Sequence, residues 1–140
     1  MIRISTRGRY ALRAMVDLAL HNAEGPVLRQ DIAERQEISA DYVAQLFRHL
    51  TAAGLVEGVK GPGGGYLLAR DAANITTGDV VRAVEGPVAV VRCVSPDGDP
   101  ACNRVDRCVT HLLWLRLSEV MSEFLDSVTL QSLCDEAQRL

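Results

Sequence analysis

The feature that most restricts the fold is the glycine-rich run in "VKGPGGGYLLAR", residues 59–70, which holds four of the chain's 11 glycines within five positions. The segments on either side of the run, "LVEGV" and "YLLAR", have the pattern of short strands. The run is therefore predicted to be the tip of a β-hairpin whose bare backbone lies close to a partner. Gly64 is expected to have a positive φ and to let the backbone approach the partner closely, so a β-branched residue such as valine should be unfavourable there.

Glycine runs also occur in nucleotide-binding loops, but the required residues are missing here. A dinucleotide fingerprint needs a third spaced glycine and a following helix, whereas Gly61, Gly63 and Gly65 are followed by Tyr66 and a strand pattern. A P-loop needs Gly-Lys-Ser/Thr, which is absent. A flexible linker would not be bounded by paired strands. A glycine-rich hairpin without a partner remains an open alternative.

Three helices are predicted before the hairpin. The first begins at a Ser5 or Thr6 cap and ends before Gly25-Pro26, and the second covers residues 29–36. The third lies in "ISADYVAQLFRHLTAAGL", with Ser39 as N-cap and Gly54 as the left-handed residue at its end. Its inward face is predicted to contain Val43, Leu46, Phe47 and Leu50. A helix-turn-helix followed by a hairpin is a winged helix, so the fold class is mainly α with a small β-hairpin wing.

Charge is distributed unevenly along the chain. The formal net charge is −3, with about +2 in residues 1–70 and about −5 in residues 71–140. This balance disfavours non-specific nucleic-acid binding by the whole chain but permits local DNA binding by the first half. No apolar run approaches the roughly 20 residues of a membrane span, and no signal peptide is evident, so a cytoplasmic location is expected.

A long helix is predicted in "CVTHLLWLRLSEVMSEFLDSV", which follows a helix capped by Thr76 and a loop at residues 92–107. Its apolar stripe is too wide for one neighbouring surface, because Leu112, Leu115 and Met121 broaden it. The second surface is predicted to be the same helix of another subunit. The predicted interface residues are Leu113, Leu117, Val120 and Phe124.

Three of the four cysteines lie close together, in the spacing Cys93-x8-Cys102-x5-Cys108-x2-His111. Three thiolates and an imidazole suit either structural zinc or an iron–sulfur cluster. The spacing favours the cluster, because zinc sites usually contain a close C-x2–4-C pair. Chance free thiols, or a disulfide with one spare thiol, remain alternatives. Cys134, among apolar residues of the last helix, is predicted to be a core thiol.

The motifs "GRYALRAMVDLAL", "ISADYVAQLFRHL", "KGPGGGYLLAR" and "CVTHLLW" together resemble the iron–sulfur cluster regulator family (IscR-type) of bacterial winged-helix transcription factors. The resemblance covers nearly the whole chain. It implies a homodimeric repressor that binds promoter DNA, receives a 2Fe-2S cluster from cluster donors and governs cluster-assembly genes, with cluster occupancy deciding which promoters are bound. The implied cluster ligands are Cys93, Cys102, Cys108 and His111, and the implied DNA contacts are Ser39, Ala40, Asp41, Gln45, Lys60, Gly63 and Gly64.

The resemblance also indicates how the chain is divided. The predicted parts are a winged-helix domain at residues 1–86, a cluster-binding loop at 87–107 and a dimerisation helix with a C-terminal helix at 108–140. Two positions depart from the family: Ala44 replaces a glutamate that helps to discriminate DNA sites, and Lys60 replaces an arginine. The rival functions are the same fold with zinc or a nitric-oxide-sensing cluster, and a small iron–sulfur electron carrier. No catalytic set is recognisable, so no enzymatic activity is expected.

Overall fold

The computed structural model describes residues 1–140, which form six α-helices, one two-stranded sheet and short 3-10 turns. In chain order the elements are α1 (Thr6–His21), α2 (Arg29–Gln36), α3 (Ala40–Ala52), β1 (Val56–Val59), β2 (Gly65–Leu68), α4 (Thr77–Glu85), α5 (Val109–Ser127) and α6 (Leu130–Ala137). The predicted fold class, mainly α with a small hairpin, is confirmed.

Polar side chains fix where four of the helices begin. The Ser5 hydroxyl accepts the Gly8 N–H at the start of α1, and the Ser39 hydroxyl accepts the Tyr42 N–H at the start of α3, at 3.1 Å and 3.0 Å. Thr76 forms a reciprocal capping box with Asp79 at the start of α4. Each cap satisfies an N–H group that has no partner within the helix, and each lies where the sequence predicted it.

The hairpin is held to the helical domain along its base. β1 and β2 pair antiparallel, with Val56 opposite Leu68 and Val59 opposite Gly65. Val27, between α1 and α2, extends this sheet by exchanging two backbone hydrogen bonds with Tyr66, at 2.9 Å and 2.8 Å. The Tyr66 ring also packs on Phe47 of α3, with ring centroids 4.4 Å apart. The wing is thereby fixed relative to α3.

The glycine run is needed for close backbone packing. Gly64 does not have the positive φ that we expected, so that part of the prediction is wrong. The reason for glycine there is space, because a Cβ at Gly64 would lie 2.2 Å from the Val59 carbonyl oxygen. At Gly65 both reasons hold: φ is +145°, and a Cβ would lie 2.2 Å from the Val27 carbonyl oxygen.

The hydrophobic core lies within the winged helix. Val43, Leu46, Phe47 and Leu50 of α3 are buried, as their helical spacing predicted. A buried charge joins α1 to α2: the Asp17 carboxylate accepts two hydrogen bonds from Arg35, at 2.9 Å and 2.8 Å, and one from Gln36 at 2.9 Å. This network satisfies both carboxylate oxygens, which a buried carboxylate requires.

The last two helices differ in how they pack. α5 contacts the winged helix through α4, where the Thr77 hydroxyl donates to the Leu125 carbonyl at 2.6 Å and Arg82 pairs with Asp126. α6 turns back onto α1, so that Leu130 is fully buried and Cys134 nearly so. Cys134 is thus a core thiol, as predicted. None of the helices has the combination of length and apolar character that crossing a membrane would need.

Candidate DNA-binding and cluster-binding sites

A cleft of about 510 Å³ lies between the wing and the first turns of α2 and α3. Four of the seven predicted DNA contacts line this wing cleft: Ala40, Asp41, Lys60 and Gly64. The cleft is formed because the hairpin is anchored at Val27 and Phe47 and folds back towards the start of α3. The start of α3, the predicted recognition helix, and the wing are therefore presented on one surface.

The other three predicted contacts lie around the cleft. Ser39 is exposed and uses its hydroxyl oxygen to cap α3. Gln45 is exposed one turn further along α3, and Gly63 is exposed at the tip of the wing. The three residues do not line the wing cleft itself, although all three are open to solvent.

Sequence reasoning missed Arg29 and Gln30, which line the same cleft at the start of α2. The sequence contained a signal for Arg29. A cation in the first turn of a helix lies at the positive end of the helix dipole, where a carboxylate would be favoured. Such a position suggests that the arginine has a partner outside the helix, such as an anion.

The predicted cluster ligands are only partly brought together. Cys93 lies in the 3-10 turn Arg92–Val94, and His111 lies in the first turn of α5. Cys93 Sγ and His111 Nδ1 are 3.3 Å apart, so the loop and the helix meet through two of the four predicted ligands. No group of three Cys, His, Asp or Glu side chains is close enough to hold a metal ion.

The other two cysteines have different local environments. Cys108 precedes α5, and its Sγ is 3.1 Å from the Thr110 hydroxyl. This hydrogen bond, helped by backbone N–H groups of His111 and Thr110 and by the charge of Arg104, lowers the pKa of the Cys108 thiol. Cys102 lies in the loop, where its N–H bonds the Asp99 carbonyl at 3.0 Å. Both side chains are half-buried.

The donor chemistry of these residues fits a 2Fe-2S cluster. Three thiols and one imidazole could supply two ligands to each of two irons. A lowered pKa favours the thiolate of Cys108, and the thiolate is the form that binds metal. The donors therefore suit the cluster in kind and number, and two of the four, Cys93 and His111, are in contact.

α5 presents an apolar surface that nothing in the subunit covers. Phe124 is 65% exposed, Leu113 56% and Val120 43%, while Leu117 is half-buried. Ser118 is the single buried residue of the helix. The predicted interface residues therefore lie mostly at the surface of the subunit.

Comparison with known proteins identifies the family of the chain. The sequence pattern described as "Rrf2: Iron-dependent Transcriptional regulator" matches residues 4–136. The chain belongs to the Rrf2 family. It is 51% identical over 132 residues to the HTH-type transcriptional regulator IscR of Serratia proteamaculans, which covers 94% of this chain and 79% of that protein. It is 47% identical over 139 residues to IscR of Photorhabdus laumondii, which covers 99% and 83%.

Solved structures of Rrf2 proteins share the fold. IscR of T. potens superimposes with a TM-score of 0.79 at 39% identity, covering 96% of this chain and 88% of that one. CymR, the global cysteine regulator of B. subtilis, gives a TM-score of 0.77 at 39% identity, covering 97% and 98%. This Rrf2 chain is thus an IscR-type helix-turn-helix transcriptional regulator.

Proposed function

We propose that the chain is a homodimeric promoter-binding regulator whose DNA binding is controlled by a 2Fe-2S cluster held by Cys93, Cys102, Cys108 and His111. The observation that carries this proposal is the 3.3 Å contact between Cys93 Sγ and His111 Nδ1, because it joins the loop to the start of α5. When bound, the cluster would supply an anionic cross-link between these two segments. Cluster-assembly genes are the proposed targets and cluster donors the proposed partners.

The contacts of α5 provide a structural connection through which cluster occupancy could affect the position of the DNA-binding surface. The Val90 N–H donates to the Ser118 hydroxyl at 3.0 Å, which ties the chain before the loop to the middle of α5. The far end of α5 is bonded to α4, and α4 packs on both α1 and α3. Cross-linking the loop to α5 would therefore restrain the connection between the cluster site and the recognition helix.

The proposed dimer explains why α5 matters for DNA binding. In a two-fold dimer, the separation of the two recognition helices must match half-sites about 34–36 Å apart or a multiple of that distance. If α5 pairs through Leu113, Leu117, Val120 and Phe124, its position sets that separation. A cluster that restrains α5 would then determine which half-site spacings, and therefore which promoters, the dimer can bind.

Within each half-site the exposed residues have distinct proposed roles. Asp41 and Gln45 lie on the first two turns of α3, which reach base edges in this class of fold; Asp can accept from cytosine and Gln can pair with adenine. Lys60 and Arg29, on the two sides of the wing cleft, would bind phosphates. Ala44 has no polar group, so it would not contribute a hydrogen bond to site selection.

The test is to purify the protein anaerobically and to measure its visible spectrum, iron and acid-labile sulfide. Cys93→Ala, Cys102→Ala, Cys108→Ala and His111→Ala should each lose cluster while keeping helical circular dichroism. Cys134→Ala is the matched control and should leave the cluster content unchanged, because Cys134 is a buried core thiol and not a predicted ligand. Promoter duplexes should then be bound differently by cluster-containing and cluster-free protein.

Three results would contradict the proposal. A colourless protein containing one zinc per chain would favour structural zinc. A cluster that binds but leaves DNA affinity unchanged would favour an electron carrier. Full cluster content in His111→Ala would remove His111 from the ligand set, and the fourth ligand would be sought among Asp97, Asp99 and Asp106.

A further inference from the structure

A second concave surface of about 590 Å³ lies between the start of α1 and the exposed face of α3. It shares no lining residue with the wing cleft. Arg7 of α1 and Arg48 of α3 both line it, and we call it the arginine notch. No Asp or Glu lines the notch.

The two arginines of the notch have no carboxylate partner. Arg7 donates a hydrogen bond to His49 Nε2 at 2.9 Å, which fixes the guanidinium at the edge of α3, and Arg48 makes no ion pair. In contrast, Arg35 and Arg82 lie against Asp17 and Asp126. Two uncompensated positive charges on one concave surface attract an anion.

The position of the notch on α3 identifies that anion. Arg48 and His49 follow Gln45 by three and four residues, so they occupy the same face about one turn further along the helix. A recognition helix presents its N-terminal residues to base edges, and its later turns pass the backbone at the edge of the groove. The group that lies there is a phosphodiester.

We propose that Arg7 and Arg48 clamp one phosphate of the bound DNA, at a site separate from Lys60 and the wing cleft. This proposal extends the DNA-binding surface described above. The phosphate would be held between α1 and α3 and would fix how far α3 enters the groove. His49 is a positioning residue, because its Nε2 accepts the hydrogen bond that orients Arg7.

The test uses fluorescence anisotropy with two 30-base-pair duplexes, one carrying a site obtained by in vitro selection with this protein and one carrying its scrambled sequence. Salt titration gives the slope of the logarithm of the association constant against the logarithm of the salt concentration. The magnitude of this slope falls by about 0.9 for each phosphate contact that is lost. Arg7→Ala combined with Arg48→Ala should lower the slope by about 0.9 for each bound subunit, or about 1.8 for the proposed dimer, because the two arginines of a subunit share one phosphate. Binding at 0.1 M salt should weaken about tenfold for each bound subunit on both duplexes.

Matched variants separate the proposal from its alternatives. Arg9→Ala, on the same helix but bonded to Thr6 and outside the notch, should keep the wild-type slope. His49→Ala should lower affinity, and His49→Gln should restore it because the glutamine oxygen can accept from Arg7. An unchanged slope in the double variant would overturn the proposal, as would a loss confined to the selected site, which would make Arg48 a base reader. If the wild type binds neither duplex, the DNA-binding function itself fails.

Discussion

The molecule has two parts that differ in how they bury apolar residues. We call the winged helix together with α6 the closed part, and the loop at residues 87–107 together with α5 the open part. Of the 18 residues in the hydrophobic core, all but Leu130 lie between Ala11 and Val84, and Leu130 joins them because α6 folds back onto α1. In the open part, the loop at residues 87–107 contains no buried residue and α5 contains one. The closed part is complete as a single chain, whereas α5 exposes apolar surface of the kind that marks an interaction site.

The two phenylalanines of the chain test this contrast most strongly, because one lies in each part. Phe47 is fully buried and Phe124 is 65% exposed. Phe47→Ala should lower the free energy of unfolding by about 3–5 kcal/mol, the cost of emptying a buried aromatic site. Phe124→Ala should leave the unfolding of the isolated subunit nearly unchanged. Urea unfolding at several protein concentrations measures both effects. Equal losses in the two variants at low concentration would contradict the division.

The sequence was sufficient to predict the closed part because its signals are local. Ser5, Ser39 and Thr76 each begin a helix through a hydrogen bond to a residue three positions away. The apolar positions of α3 repeat at helical spacing, so its buried face could be predicted as well.

Contacts between distant residues could not be predicted in this way. Neither the pairing of Asp17 with Arg35 nor the sheet contact of Val27 with Tyr66 leaves a periodic signal, because each depends on how whole elements pack. The same holds for the arginine notch, which requires α1 and α3 to be adjacent. For the cluster site, spacing identified four candidate donors, but only folding shows that Cys93 and His111 are in contact.

The second prediction concerns the proposed dimer. Leu113→Asp together with Phe124→Asp would place unpaired charges in the α5 interface, where a buried charge without a partner costs about 3 kcal/mol or more. The dimer should dissociate at least about a hundredfold more readily, since each 1.4 kcal/mol is a factor of ten. Because both residues are exposed in the subunit, the variant should remain helical.

Sedimentation velocity at micromolar concentration measures the dimer. Leu140→Asp is the control, because Leu140 is an exposed leucine outside α5 and should not affect association. A wild-type protein that sediments as a monomer would contradict the dimer, and so would a double variant that remains dimeric.

The third prediction compares a glycine from each part. An alanine Cβ at Gly64 would lie 2.2 Å from the Val59 carbonyl oxygen, so the tip of the wing would have to move. Gly64→Ala should therefore displace Lys60 and weaken DNA binding about tenfold at physiological salt, the effect of losing one or two phosphate contacts.

Gly98, in the loop, is the glycine of the open part. A Cβ there would meet open space, but the residue has a φ of +67°, so Gly98→Ala is strained. It should cost about 1–2 kcal/mol locally and leave the DNA affinity of cluster-free protein unchanged. Anisotropy titration of both variants measures this difference, and equal affinities would show that the wing does not contact DNA.

The smallest expected effect is a difference in reactivity between a cysteine of each part in cluster-free protein. The Thr110 hydroxyl lowers the pKa of the Cys108 thiol, whereas burial, with a contribution from Asp135, raises the pKa of the Cys134 thiol. A lowered pKa means more thiolate at a given pH, and the thiolate is the form that iodoacetamide alkylates. Cys108 should therefore be alkylated several-fold faster than Cys134 at neutral pH. The increase of its alkylation rate with pH should also begin at a lower pH than that of Cys134. Thr110→Val, which removes the hydroxyl but keeps the side-chain shape, should shift the Cys108 profile to higher pH and leave that of Cys134 in place. Mass spectrometry of timed samples gives both rates, and labelling of Cys134 before Cys108 would contradict the greater accessibility and reactivity of the Cys108 thiol that the structure indicates.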